Sequence, residues 1–382
     1  MKIRRMTIGA WVAMGMLGLP LLAEEKAEQP EKGRAKVQLA ILLDTSNSMD
    51  GLIEQAKTQL WRIVNTFIDA KQNGKVPFVE VALYEYGNSG LVPREYWIRQ
   101  VQPLTRDLDK ISEELFGLRT NGGDEFCGAV VARATGDLKW DPSPDVYKAV
   151  FIAGNEPFTQ GPVDARQACR NAIAKGVIVN TIHCGDEATG VSSGWKDGAV
   201  VADGSFLIID SDKAVVHIEA PQDAEIVRLN EQLNKTYLAY GREGAVGAAN
   251  QMAQDANAVT KAEAGAAVQR AVAKASVNYS NARWDLVDAR AEEGFDWADV
   301  RDEDLPEDLR GLDNAGRDKK IGEMRAERAA VQKQIAELNA EREKFVTAKM
   351  KESGEGEADT LDAVMTKTVR AQAVKKGYEF GK

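Results

Sequence analysis

Beyond residue 36 the apolar positions alternate between two rhythms. Residues 37–43 are a nearly unbroken apolar run, 148–152 read as a second buried strand, and 177–183 as a strand after Gly176, the mark of a sheet buried on both faces. Residues 78–84 read as another strand, 96–104 alternate as an edge strand of a hairpin, and 206–210 read as a last short one. Between them the spacing turns helical. Leu52, Ile53, Ala56, Leu60, Ile63, Val64 and Phe67 share one face, and so do Cys127, Val130, Val131 and Ala134. Short helices are expected around Ile111, Leu115 and Leu118, and over 165–175. Strand–helix alternation with apolar strands predicts an α/β fold, a doubly wound and mostly parallel sheet covered on both faces, over residues 36–211.

After about residue 212 strand signals fade. Helices are expected over 224–240, through the Ala-rich 244–279, over 319–351 and from Leu361 onward, with an acidic loop at 299–318 and a break at 352–359. The helix over 319–351 carries a seam of Ile321, Met324, Arg328, Val331, Ile335, Leu338, Arg342 and Phe345 in steps of three and four. This coiled-coil-like pattern has Arg at two core sites. Such charges are costly in a homodimer seam unless paired. Residues 212–382 are therefore expected to be a helical region that packs within one chain, against 244–279 or the terminal helix, in a monomer.

The beginning has a different character. Lys2, Arg4 and Arg5 precede an apolar run over 7–22, and Ala23 stands before Glu24 and Glu25. That is the layout of a signal peptide over 1–23, followed by a Glu-, Lys- and Pro-rich linker over 24–35. The expected location is periplasmic or secreted. An uncleaved anchor is the one membrane attachment this allows. Lys and Arg total 49 against 59 Asp and Glu, a net charge of -10, which argues against a nucleic-acid partner. Two histidines make a His-rich zinc enzyme a poor fit, and three cysteines exclude a small disulfide framework.

The strongest local signal is Asp44-Thr45-Ser46-Asn47-Ser48, directly after a buried strand and before a helix. Open α/β sheets bind ligands beyond the carboxyl ends of their strands. One carboxylate and two hydroxyls spaced by two suit a hard cation, Mg2+ with Mn2+ as competitor. Ser and Asp are also good helix caps, so capping is the other reading of the loop. At these residues the chain resembles the von Willebrand factor A-type domain. Its metal-ion-dependent adhesion site begins with an Asp-x-Ser-x-Ser loop, met here by Asp44, Ser46 and Ser48. The resemblance covers about 36–211. The whole chain also resembles a bacterial family of exported proteins with this domain and a helical tail, a likeness that brings no activity with it.

Two departures follow from the resemblance. Where the family has Thr in a Gly-Gly-Thr loop, this chain has Gly122-Gly123-Asp124, with Thr120 as the alternative. Where the family has Asp in a Thr-Asp-Gly turn, this chain has Gly154, followed by Asn155 and Glu156. One carboxylate is lost and one gained, which favours a retained metal site of Asp44, Ser46, Ser48, Asp124 and Asn155. The resemblance implies that the cation's open position takes a carboxylate from a protein partner. A metal-free envelope scaffold is the first rival. A metal-dependent hydrolase using Asp44, Asp124 and Glu156 is the second, against which stand the missing nucleophile elbow, zinc motif and evident general base. Cys127 and Cys184 fall at the ligand face, where a disulfide would brace the site, and Cys169 reads as a buried thiol. Trp97, Trp140 and Trp195 read as core or rim residues.

Overall fold

The computed structural model describes residues 35–209, 217–262, 264–353 and 361–381. The expected signal peptide, residues 24–34 of the linker and the end of the 206–210 strand lie outside the described residues.

Strand β1 (Lys36–Asp44) leads into α1 (Asp50–Asn65). A two-residue strand β2 (Lys71–Gln72) precedes β3 (Phe78–Tyr86) and β4 (Ile98–Thr105). Then come α2 (Leu108–Gly117), α3 (Cys127–Asp137), β5 (Tyr147–Gly154), α4 (Ala165–Ala174), β6 (Ile178–Cys184), α5 (Glu187–Ser192), α6 (Trp195–Val201) and β7 (Phe206–Ile209). The main sheet has the order β4-β3-β1-β5-β6-β7. All neighbours are parallel except β3 and β4. β1 is central, so both of its faces are covered, and this explains its unbroken apolar run. Val37, Leu39, Ile41 and Leu43 join one core with α1 and α2, while Ala40 and Leu42 join the other with α3, α4 and Trp195. The edge strand begins at Ile98 rather than 96. Tyr96 and Trp97 adopt left-handed backbone, with φ of 59° and 52°.

The chain then builds α7 (Asp223–Asn234), α8 (Gly244–Thr260), α9 (Ala266–Lys274), α10 (Leu286–Ala289) and α11 (Asn314–Ser353). The Ala-rich stretch is two helices, not one. Gly265, at φ +87°, turns the chain between them. The seam of α11 is buried as its spacing predicts, with Ile321, Arg328, Val331, Ile335 and Arg342 nearly inaccessible. Its main partner is α7, with α9 and α10 beside it. The expected pairing with 244–279 is met through α9 alone, and α7 rather than the terminal helix is the chief partner. The two arginines are answered within the chain. Arg328 donates to Asp285 at 2.8 Å, Asp288 at 2.7 Å and the Thr236 carbonyl, and lies 4.0 Å from the Tyr237 ring centre. Arg342 donates to Asp223 at 2.7 Å.

Helix α12 (Leu361–Val374) and strand β8 (Tyr378–Glu379) return to the α/β part. Met365, Val369, Ala373 and Tyr378 belong to the same core as β1 and α1. Tyr147 donates its hydroxyl to Gln372 at 2.7 Å, and Gln372 donates to Asn180 at 2.7 Å. β8 pairs antiparallel with β2. A second tie joins α2 to α8 and α9, where buried Arg270 donates to Asp109 at 2.7 Å and Asp255 at 2.6 Å. Residues 33–382 therefore form one compact unit, and the composition change near 212 marks a change of element type within a shared core.

Candidate functional site

Asp44 is the last residue of β1 and pairs in register with Tyr86 at the end of β3. Its Oδ1 accepts the Ser46 backbone N–H at 2.8 Å, which folds the loop back over the strand end. Its Oδ2 is buried and has no hydrogen-bond partner. Asp44 is 0% exposed, and burial raises its pKa from 3.8 to about 7, against the opposing pull of Ser46. Glu125 and Glu156 push it further the same way. The Ser46 and Ser48 hydroxyls lie 3.4 Å apart. Neither caps a helix: the turn at 47–49 and α1 both start without a side-chain cap. The capping reading of the loop is thereby overturned.

The remaining residues divide sharply. Asn155 donates its Nδ2 to the Ser48 hydroxyl at 3.1 Å, while its Oδ1 is buried without a partner. It stands with the loop. Asp124 does not: it is exposed, and the acidic residue turned to Asp44 from that stretch is Glu125, 7% exposed. Burial, then repulsion from Glu156, raises the Glu125 pKa, while the Ser46 hydroxyl lowers it. Gln160 donates to Glu125 at 3.5 Å. Gly87, at φ +80°, makes this approach possible. A Cβ there would stand 2.8 Å from Glu125 Cγ and 2.9 Å from Asp44 Oδ1. Thr120 is committed elsewhere, donating to Asp50 at the start of α1.

The second departure has a steric cause. A Cβ on Gly154 would lie 2.5 Å from the Tyr86 hydroxyl and 3.1 Å from Asp44 Oδ2. That hydroxyl is held by donation to the Ala153 carbonyl at 2.9 Å, beside Cys127 Sγ at 3.6 Å. Tyr86 thus fills the room that a side chain at 154 would need. Nothing in the local sequence around Gly154 announces this. The signal was a large aromatic at the end of β3, on the far side of β1.

Glu156 is exposed at the rim, its carbonyl accepting the fully buried Trp195 indole N–H at 2.9 Å. Trp195 is therefore a core residue. The three cysteines are free and buried, so the disulfide weighed for Cys127 and Cys184 is not formed. Cys184 joins the core of β1 and α1, and His183 turns to the opposite face against Trp195. Among the described residues, no group of three or more His, Cys, Asp or Glu is placed to hold a metal ion. The set described here is two carboxylates with hydroxyl and amide oxygens. No helix among the described residues is long and apolar enough to cross a membrane.

No protein-family model matches the chain, and no curated protein matches it by sequence. Part of the chain is similar to several solved structures. One is BatB from Bacteroides thetaiotaomicron, 18% identical, covering 46% of this chain and 90% of that one, with a TM-score of 0.35. Another is the SpRpn10 VWA domain, 16% identical over 46% and 88% of the two chains, with a TM-score of 0.35. A third is the vWF domain of the type V pili tip protein Mfa5 from Porphyromonas gingivalis, 12% identical over 46% and 90%, with a TM-score of 0.33. Each of these similarities covers less than half of this chain. By its own strand pairing, the chain carries an α/β, Rossmann-like fold: a six-stranded, mainly parallel sheet flanked by helices, with a C-terminal helical region.

Proposed function

We propose that this is an exported, non-enzymatic binding module in which the carboxyl edge of the sheet holds a divalent cation for a protein partner's carboxylate. The observation that carries the reading is the buried, partnerless Asp44 Oδ2 beside two serine hydroxyls that cap no helix. A buried carboxylate oxygen without a donor is costly and calls for a positive charge. Asn155 Oδ1 is a second buried acceptor in the same state. The residues present fit a hard cation: Asp44, Ser46 and Ser48 as the core of the set, with Glu125 and Asn155 beside them. Glu125 takes the part that the sequence gives to Asp124. When bound, Mg2+ or Mn2+ would supply an open coordination position for a carboxylate. The chain's part is to keep Asp44 dry and fixed, hold the hydroxyls through the Asn155–Ser48 bond, and exclude a side chain at 154. Residues 212–382 serve as a rigid flank sharing the core, and the protein works as a monomer outside the cytoplasm.

The test is calorimetric titration of Mg2+ and Mn2+ into the wild type, Glu125→Gln and Asp124→Asn. Glu125→Gln should weaken binding at least about tenfold, since one of two charges facing a dication is removed. Asp124→Asn should stay within about twofold. A wild type that binds neither ion refutes the proposal and leaves the metal-free scaffold. A larger loss in Asp124→Asn than in Glu125→Gln returns the second carboxylate to Asp124.

A further inference from the structure

Beside the Asp44–Glu125 pair the loop from β3 to β4 makes an unusual choice. Tyr96 and Trp97 both stand in the left-handed region, at φ 59° and 52°, with no glycine. L side chains avoid this region, and non-glycine residues held there gather at functional sites because other contacts must sustain them. Here those contacts are visible. Trp97 N–H donates to the Val92 carbonyl at 3.3 Å, and Gly87 N–H donates to the Trp97 carbonyl at 3.1 Å. Glu95 pairs with Arg133 at 2.8 Å. The kink breaks the alternation that would have continued the edge strand. Its effect is to set both rings against one partner: Phe126 meets Tyr96 at 6.2 Å and Trp97 at 5.6 Å, both edge to face.

This cluster adjoins the proposed metal site through one covalent neighbour and one backbone hydrogen bond. Phe126 follows Glu125 directly. Gly87, bonded to Trp97, is the residue against which Asp44 and Glu125 both pack. The outer surface of the cluster is apolar and open, with Val92 49% and Tyr96 42% exposed. Of the charges flanking it, Glu95 pairs with Arg133 and Arg99 with Glu85 at 2.5 Å, while Arg94 is exposed.

We infer that Val92, Tyr96, Trp97 and Phe126 form a specificity subsite that receives an aromatic or large aliphatic side chain adjacent to the carboxylate a partner protein places on the cation. The inference rests on the metal-site reading and deepens it. The carboxylate supplies a contact common to any acidic segment, and the shelf selects among acidic segments by the neighbouring residue. Edge-to-face packing and apolar burial favour Phe, Tyr or Leu there over Ala, and give nothing to Lys or Glu.

The experiment uses the full chain with saturating Mg2+ and capped tetrapeptides Gly-Glu-X-Gly and Gly-X-Glu-Gly, with X being Phe, Leu, Ala, Lys or Glu. Binding is read by calorimetry on the wild type and on Tyr96→Gly. In at least one of the two orders the Phe and Leu peptides should bind about tenfold tighter than the Ala peptide. Tyr96→Gly should abolish that preference while leaving Ala-peptide binding and Mg2+ affinity unchanged. Its melting temperature should not fall, since glycine accepts the left-handed backbone freely. If acidic peptides bind in a Mg2+-dependent way but without preference for Phe or Leu, the subsite is refuted and the metal site stands. A preference for Lys refutes it equally, assigning selection to the acidic rim. If Mg2+ titrates normally and no peptide binds, the carboxylate contact fails and the subsite with it. If Mg2+ itself does not bind, the underlying reading fails first. A Tyr96→Gly variant that loses stability and peptide binding of every kind assigns Tyr96 a structural role instead.

Discussion

Replacing Asp44 with Asn separates the cost of the site from its use. The parent carboxylate is 0% exposed, with one oxygen bonded to Ser46 N–H and the other without a donor. Burial raises its pKa from 3.8 to about 7. A carboxyl whose pKa is raised on folding favours the fold below its unfolded value, and that contribution is lost as pH rises through the folded value. At 1.36 kcal/mol per pKa unit, ionised Asp44 costs the cation-free protein up to about 4 kcal/mol at pH 8. Asn keeps the acceptor for Ser46 N–H and removes the charge. In chelator at pH 8, Asp44→Asn should therefore be more stable than the parent, by at most about 4 kcal/mol. With an unfolding entropy of about 2.1 cal/mol/K per residue over roughly 350 residues, that is a rise of about 5 °C in melting temperature. At pH 4 the two proteins should melt nearly together. Adding Mg2+ at pH 8 to a hundred times its dissociation constant should stabilise the parent by about 2.7 kcal/mol and leave the variant unmoved. Differential scanning calorimetry of both proteins in these three conditions is the assay. A variant less stable than the parent in chelator at pH 8 would show that Asp44 is satisfied as it stands, and the reasoning from its partnerless oxygen would fall.

Gly154→Asp, which restores the acidic residue the resemblance leads one to expect, should destabilise by about 1–3 kcal/mol in urea denaturation, because its Cβ would stand 2.5 Å from the Tyr86 hydroxyl. Tyr86→Phe in the same chain should recover most of the loss, and a cost that persists in the double variant would show that Tyr86 is not the obstacle. Arg328→Met keeps the length of the side chain but leaves Asp285, 0% exposed, and Asp288 without their shared cation. It should cost about 3–5 kcal/mol in urea denaturation, and a loss below about 1 kcal/mol would mean that the pair does not anchor α11.

Much of this architecture is legible in the order of residues, for reasons that are local. The runs at 37–43, 148–152 and 177–183 read as buried strands because β1, β5 and β6 each have hydrogen-bonded neighbours on both sides and helices over both faces. The seam of α11 is legible because positions three and four apart share a helix face whatever covers them. Asp44, Ser46 and Ser48 are legible as one candidate cluster because a single tight turn carries them. Asp124 and Glu125 mark where this ends. Both are acidic, both follow the glycine pair, and which one turns inward depends on how Gly87, far earlier in the chain, lets a carboxylate approach Asp44. Gly154 is bare because of a hydroxyl reaching across from β3, two strands away, and 96–97 leave the strand because Phe126 holds their rings. Arg328 and Arg342 look like flaws in a seam until Asp285, Asp288 and Asp223 arrive from other helices. Likewise α12 reads as a tail, yet it completes the core of the first strand through Gln372, Asn180 and Tyr147. Sequence spacing determined which residues share a face or a turn, because that follows from the repeat of the backbone alone. Which face meets which, and which buried charge finds its partner, only the tertiary structure decided, because those contacts join residues that the chain itself keeps far apart.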